Sequence, residues 1–424
     1  MKSTHVVIIL LLSLSCASCK IRISPSVNGQ VVSDSGAYDC QAGNTCEIDV
    51  VDSFFDETFR AVGNEGYAFA AWRTRAKSLC GGLSRQCRLS TTGFPGTPLM
   101  AFLESDDVFF LQPVFGKPNN WRRRADTFTG GVGVRSCVIN GKLYVVGLDS
   151  DDPGAEGGQV EVFDPVINSW MTRSNLGTPR GALMAEAVRG KCYAIGGGTG
   201  GGGPLFGFPA LDAVEEYDPS TDTWQPKAPL PAPRAIGGSA VVRNKIYVVG
   251  GSAEIGWFVT PSAAVAIYDP KTDTWASGAD MPTPRIGLAV AAVNGLIYAA
   301  GGSNRDLGIY SSKIVERYNP ETDQWTRVAD LPVVLDFVSA TALNGKFYVI
   351  GGLINPPDQY NGTARSSNAV YRYNPDTDKW SRVADMSVER FGHATASLDG
   401  QVYVVGGRTS REGPSVTSVE EFTP

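Results

Sequence analysis

The feature that most limits how this chain can fold is a phrase that returns along it. In its clearest copy, Ile246-Tyr-Val-Val-Gly-Gly251, an apolar strand runs into a glycine pair, followed by Ile267-Tyr-Asp-Pro270 and then Trp275. Apolar strands end in this way near Gly147, Gly197, Gly251, Gly302, Gly352 and Gly407, and tryptophans recur at Trp121, Trp170, Trp224, Trp275, Trp325 and Trp380. A period of about fifty residues made of four short strands is a small sheet that cannot bury both faces alone; stacked in a ring, such sheets are propeller blades. The glycine pair suits a steep turn close to a neighbouring blade. The Tyr and Trp are large enough to fill the wedge between blades. Between them, turns such as Asp218-Pro-Ser-Thr-Asp-Thr-Trp224 use Asp, Pro and Thr to fix the backbone.

The register predicts how the ring closes. Trp121 precedes the first glycine turn, whereas the last copy stops at Phe422 with no tryptophan after it. The strand around Trp121 is therefore expected to complete the blade begun by residues 391–423, removing the open edges of a linear array. The wording resembles the Kelch repeat, which implies an all-β fold: a six-bladed Kelch β-propeller over residues 116–424, closed by an N-terminal strand.

Ahead of it, residues 1–19 read as an export signal. Lys2 is the basic start, Val6 to Leu14 the apolar core, and Ala17-Ser18-Cys19 resembles the end of a bacterial lipobox. That resemblance implies lipidation at Cys19 and a cell-envelope location (periplasm or outer surface). The apolar core is too short to span a bilayer. Residues 24–115 lack the repeat and hold two local cysteine pairs, Cys40 with Cys46 and Cys80 with Cys87. In an exported small domain this spacing favours disulfides over metal ligands, and no His lies there to suggest zinc. With Gly66-Tyr-Ala-Phe-Ala-Ala-Trp72 between the pairs, the segment resembles small β repeats of bacterial surface proteins, which act as stalks or spacers. A small disulfide-bridged β domain is expected.

Chemistry has few footholds. The net charge is −6 with basic residues dispersed, which speaks against nucleic acid. No phosphate-binding loop, nucleophile elbow or His-rich metal motif is present, so neither cofactor nor metal is expected. Kelch copper-radical oxidases use two His ligands; beyond His5 in the signal the chain has only His393, which reads as a strand residue. Aligning blades on their tryptophans gives one position reading Gly131, Arg180, Arg234, Arg285, Leu335, Arg390. The Kelch resemblance places such arginines near the channel mouth, where they either brace blade junctions or grip an acidic ligand. Their mutual repulsion predicts a compensating anion, and Asp336 is one candidate. Six residues further on, Cys137, Glu186, Ala240, Ala291, Thr341 and Ala396 form a second ring, in which Glu186 stands out. A carboxylate in so apolar a strand needs a partner or channel water. Cys137 and Cys192 read most simply as two buried thiols.

Long insertions fall at one place in each blade, at 198–213, 252–264, 303–313, 353–369 and 408–418, and so land on one face. They carry Phe206, Phe208, Trp257, Phe258, Asn304, Arg305, Tyr310 and Tyr360, residue types that stack on or hydrogen-bond to sugars and peptides. These features point to an exported, lipid-anchored recognition protein that binds a glycan, peptide or other protein. An enzyme is the competing expectation: resemblance to periplasmic Kelch sialic-acid mutarotases implies Glu186 with Arg180 or Arg234 as acid/base and anchor, without metal.

Overall fold

The computed structural model describes residues 19–50, 54–81, 84–92, 95, 97–98, 101, 105–148, 158–199, 208–255, 259–304, 311–355, 364–410 and 413–424. It divides into two compact units, Met1–Gly116 and Lys117–Pro424.

In the first unit, strand Cys19–Ile23 lies between Cys46–Val50 (antiparallel) and Val108–Leu111 (parallel). A second sheet orders Gly29–Ser33, Asp56–Gly63 and Gln86–Ser90, and Ala68–Trp72 pairs with Pro113–Gly116. Ile21, Ile23, Val31, Phe59, Trp72 and Leu111 fill the core. Disulfides join Cys40 to Cys46 and Cys80 to Cys87, with Cα atoms 5.9 and 6.0 Å apart. The unit starts earlier than residue 24. The alternation of Ile21 and Ile23 with Lys20 and Arg22 is that of a half-buried strand. Cys19 opens this strand with its thiol buried against the Val50 carbonyl, and burial pushes the thiol pKa up.

In the second unit the described residues form six four-stranded antiparallel sheets. The innermost strands, in blade order, are Arg135–Ile139, Met184–Val188, Gly238–Val242, Ala289–Val293, Ser339–Leu343 and Ala394–Leu398. Blade 6 is completed from the other end of the unit: Asn120–Arg124 pairs with Val419–Thr423, which sets Trp121 opposite Phe422.

Two sixfold sets of contacts hold the ring. Each outer-strand tryptophan donates from Nε1 to a carbonyl just past the outer strand of the preceding blade, for example Trp275 to Ala228 (2.9 Å), Trp325 to Ala279 (2.8 Å) and Trp121 to Ala384 (2.7 Å). The turn before each tryptophan carries an Asp or Asn with left-handed φ, which accepts a backbone N–H from that same preceding segment; Asp273 takes Ala228 N–H at 2.9 Å and Asn119 takes Ala384 N–H at 2.9 Å. The second Asp of the DPxTDxW turn thus acts between blades as well as within the turn. In blades 2 to 5 it also accepts a tyrosine hydroxyl of its own blade, as Tyr268 to Asp273 at 2.6 Å.

The glycine pair has a steric cause. At Gly196 (φ 60°) a Cβ would lie 2.1 Å from the Arg234 carbonyl of the next blade, to which Gly197 N–H donates at 2.9 Å. No L side chain fits there.

Blades 1 and 2 are also joined covalently. Cys137 on the innermost strand of blade 1 is disulfide-bonded to Cys192 on the second strand of blade 2, with Cα atoms 5.8 Å apart. This corrects the expectation of two free buried thiols: the innermost strand of one blade packs beside the second strand of the next.

Candidate functional site

The arginine ring is built into the blades. Arg180, Arg234, Arg285 and Arg390 are all buried, two of them at 0% exposure. Each guanidinium turns back into its own blade and donates to the carbonyl of the first glycine in that blade's pair: Arg180 to Gly196 (2.8 Å), Arg234 to Gly250 (3.0 Å), Arg285 to Gly301 (2.7 Å) and Arg390 to Gly406 (3.0 Å). The predicted counter-anion is a glutamate of the same blade's third strand. Arg180 pairs with Glu215, Arg285 with Glu316 at 2.7 Å and Arg390 with Glu420 at 2.8 Å. Those carboxylates also tie down the loop leading to the arginine: Glu215 accepts Gly177 N–H (2.8 Å) and Glu420 accepts Ser387 N–H (2.8 Å). Burial pulls the arginine pKa values down, and the paired glutamates push them back up. The expectation that these guanidiniums grip a ligand is therefore corrected, because presenting them would require breaking buried ion pairs.

The departures from the pattern are informative. Blade 3 has Arg234 but Ala266 in place of the glutamate, and the arginine instead bonds the Ala264 carbonyl at 3.1 Å. Blade 1 has Glu161 but Gly131 in place of the arginine, and the carboxylate takes the N–H groups of Phe128 and Thr129 at 2.9 and 2.8 Å. Burial raises the Glu161 pKa against those bonds. Blade 5, with Leu335 and Tyr371, has neither charge. Its Asp336 accepts the Phe337 N–H at 2.8 Å.

Two positions past the arginine register, Gly133, Ala182, Ile236, Gly287, Phe337 and Gly392 all have left-handed φ. Backbone bonds run between them from blade to blade, among them Gly133 N–H to Gly392 O (2.7 Å), Gly392 N–H to Phe337 O (3.1 Å) and Gly287 N–H to Ile236 O (2.9 Å). This girdle narrows the axis to a void of about 20 Å³, room for a single water. It lies at the end of the innermost strands that carries the insertions.

Beyond the girdle the axis widens into a cavity of about 400 Å³ lined by all six innermost strands. Glu186 lines it and accepts the Ser239 hydroxyl at 2.9 Å. Burial pushes its pKa up to about 7, against the Ser239 bond and the charge of Arg135. Its partners are thus Ser239 and Arg135, not Arg180 or Arg234. Arg135, which the blade alignment passed over, lines both the neck and the cavity. Burial brings its pKa down to about 10, and the Glu186 charge opposes that fall. His393, adjoining the innermost strand of blade 6, is fully buried and held well below its usual pKa by burial and then by Arg390 and Arg135.

On the insertion face, Phe208–Pro209 of blade 2 pairs with Glu254–Ile255 of blade 3, and Leu353–Ile354 forms a hairpin with Arg365–Ser366. Ala182, Ala210, Ala235, Ile236, Val259 and Ile286 pack together beneath this face. Asn304 is buried and donates to the Pro284 carbonyl at 2.9 Å, so it buttresses a loop rather than facing outward. Trp257, Arg305, Tyr310 and Tyr360 lie outside the described residues, as do Phe206, Phe258 and the side chain of Phe208. Among the described residues, no cluster of three or more His, Cys, Asp or Glu is arranged to hold a metal ion.

A closed ring of four-stranded sheets with a glycine-pair turn, a Tyr and a Trp in most blades defines a β-propeller built from Kelch repeats. The chain belongs to the Kelch-repeat family: residues 133–352 match the KLHDC2/KLHL20/DRC7 Kelch-repeats domain, and residues 337–387 and 389–424 match the Kelch motif. It is 30% identical to beta-scruin of Limulus polyphemus over 44% of this chain, and 28% identical to Kelch-like protein 35 of Mus musculus over 68%. It spans only 20% and 37% of those two proteins. The solved structure of YjhT is similar in fold, with a TM-score of 0.60 at 17% identity, covering 70% of this chain and 95% of that one.

Proposed function

We propose that this Kelch propeller is the binding part of an exported, lipid-anchored recognition protein, and that the face bearing the insertions takes a glycan, peptide or other protein partner. The observation that carries this reading is the construction of that face. The insertion stems are organised by pairings of their own, one of them spanning two blades, over a girdle that fixes their bases. Loops on so rigid a frame are where recognition concentrates. With the arginines occupied inside the blades, the preference for an acidic partner loses its support on this face. A glycan and peptide array probed with the purified protein tests the reading. A hit lost when residues 305–310 and 356–363 are replaced by Gly-Ser linkers supports it, and a hit indifferent to both replacements removes it. The anchor is tested separately: labelled palmitate should be incorporated, and Cys19→Ser should abolish incorporation and release the protein from membranes.

A second reading, proton transfer on a sugar, is favoured by Glu186 alone, whose pKa of about 7 inside the cavity suits a general acid or base. Sialic-acid anomer interconversion followed by NMR tests it; a rate equal with the wild type and Glu186→Gln retires it.

A further inference from the structure

Most wall hydroxyls of the axial cavity already serve to join blades. Ser136 donates to the Thr395 carbonyl at 3.0 Å, Thr395 to the Ala340 carbonyl at 2.9 Å, Ser339 to the His393 carbonyl, and Ser239 to Glu186. Ala240, Ala291, Ala292 and Ala342 supply small apolar wall. Two charged groups keep hydrogen-bonding capacity in reserve. The Arg135 guanidinium makes one hydrogen bond among the described residues, from Nη1 to the Val134 carbonyl at 2.9 Å, and no carboxylate of those residues pairs with it. Glu186 holds Ser239 on Oε1 and leaves Oε2 to the cavity. The two act on one another electrostatically without forming an ion pair.

A guanidinium on blade 1 and a carboxylate on blade 2, both half-buried in the cavity wall with room beside them, set up a field that neither a simple anion nor a simple cation satisfies. An anion would neutralise Arg135 but face a like charge at Glu186, and a cation would do the reverse. A molecule carrying both charges pairs with both groups and leaves the net charge of the cavity unchanged, using charge-assisted hydrogen bonds at each end. The volume suits a small molecule, not a folded partner. The neck beside the insertions holds a void the size of about one water, so the room for a ligand lies beyond it.

We propose that the axial cavity is a binding site for a small zwitterion, an amino acid or amino sulfonate, whose acid group sits on Arg135 and whose ammonium sits on Glu186. The site is independent of the insertion face, so either reading can fail without the other.

The test is calorimetric titration of the purified protein with glycine, L-alanine, β-alanine, γ-aminobutyrate and taurine, alongside acetate and methylammonium. One or more zwitterions should bind at one site per chain, at least tenfold tighter than acetate or methylammonium, with affinity peaking at one spacing between the two charges. Arg135→Met and Glu186→Gln should each weaken that binding at least tenfold. Ala291→Leu, which narrows the cavity and leaves both charges in place, should also weaken it, so the result does not rest on a variant that loses its fold. Silence across the panel, acetate binding as tightly as the zwitterions, or binding indifferent to all three substitutions overturns the proposal.

Discussion

Arg285 and Arg135 are the same kind of side chain in two regions of one propeller, the blade junction and the axis. Arg285 is enclosed, paired with Glu316 and bonded to four backbone carbonyls at 2.7, 2.9, 3.3 and 3.4 Å. Arg135 is half-buried, bonds one carbonyl and feels the charge of Glu186 without pairing with it. A buried charge with every donor engaged is architecture; one with donors in reserve is available to something else. Sequence register picks out the first kind, because the repeat preserves it. Only packing distinguishes the second.

Breaking the junction should have the largest effect. Arg285→Leu leaves Glu316 buried without its cation and should lower the free energy of unfolding in urea by about 3–5 kcal/mol. Arg285→Leu with Glu316→Leu should recover much of that loss; a double variant as unstable as the single one would show that the pair is not the cause. Next comes the covalent tie between blades 1 and 2. Replacing Cys137 and Cys192 with Ala should reduce stability by about 2–4 kcal/mol, and thiol labelling of the denatured, unreduced wild-type protein should leave both positions unmodified.

The axial cavity should respond to pH instead. Glu186 has a folded pKa of about 7, above its ordinary 4.5, so the folded state holds the proton more tightly than the unfolded chain. Its penalty is absent below pH 4.5, grows as pH rises to about 7, and is fully present above. This side chain is only partly buried, so a loss of about 1–3 kcal/mol across that window is expected. Glu186→Gln should flatten that part of the stability profile, and an unchanged slope would contradict the assignment. The smallest effect is expected at the contrasting arginine: Arg135→Met should change stability by less than about 1 kcal/mol while moving the Glu186 midpoint further up. A loss as large as that of Arg285→Leu would collapse the distinction between the two regions.

The ring was legible because its signals repeat. Six tryptophans, and a last copy lacking one, implied that the strand around Trp121 completes the last blade, where it lies against Val419–Thr423. Cys40 and Cys46 were legible because their spacing is local. The arginines' partners lie 30 to 35 residues downstream, yet a signal was present: Glu215, Glu316 and Glu420 stand at one register position in blades 2, 4 and 6, each with its arginine. Both residues are missing together only in blade 5, while blades 1 and 3 keep one of the two, which blurred the signal. Cys137 and Cys192 were missed because the bridge joins different strands of adjacent blades. Arg135 belongs to no repeated pattern, and its exposure to the axis follows from how all six sheets converge.

The way blade 6 is completed sets an order of events in time. Asn120–Arg124 emerges from the ribosome some three hundred residues before its partner Val419–Thr423. Until then it has no sheet to join, and the ends of a very long segment must meet before the circle exists. Closure of the ring therefore waits for Val419–Thr423, and a chain stalled or clipped before Val419 would leave blade 6 incomplete, with edges free to find other chains.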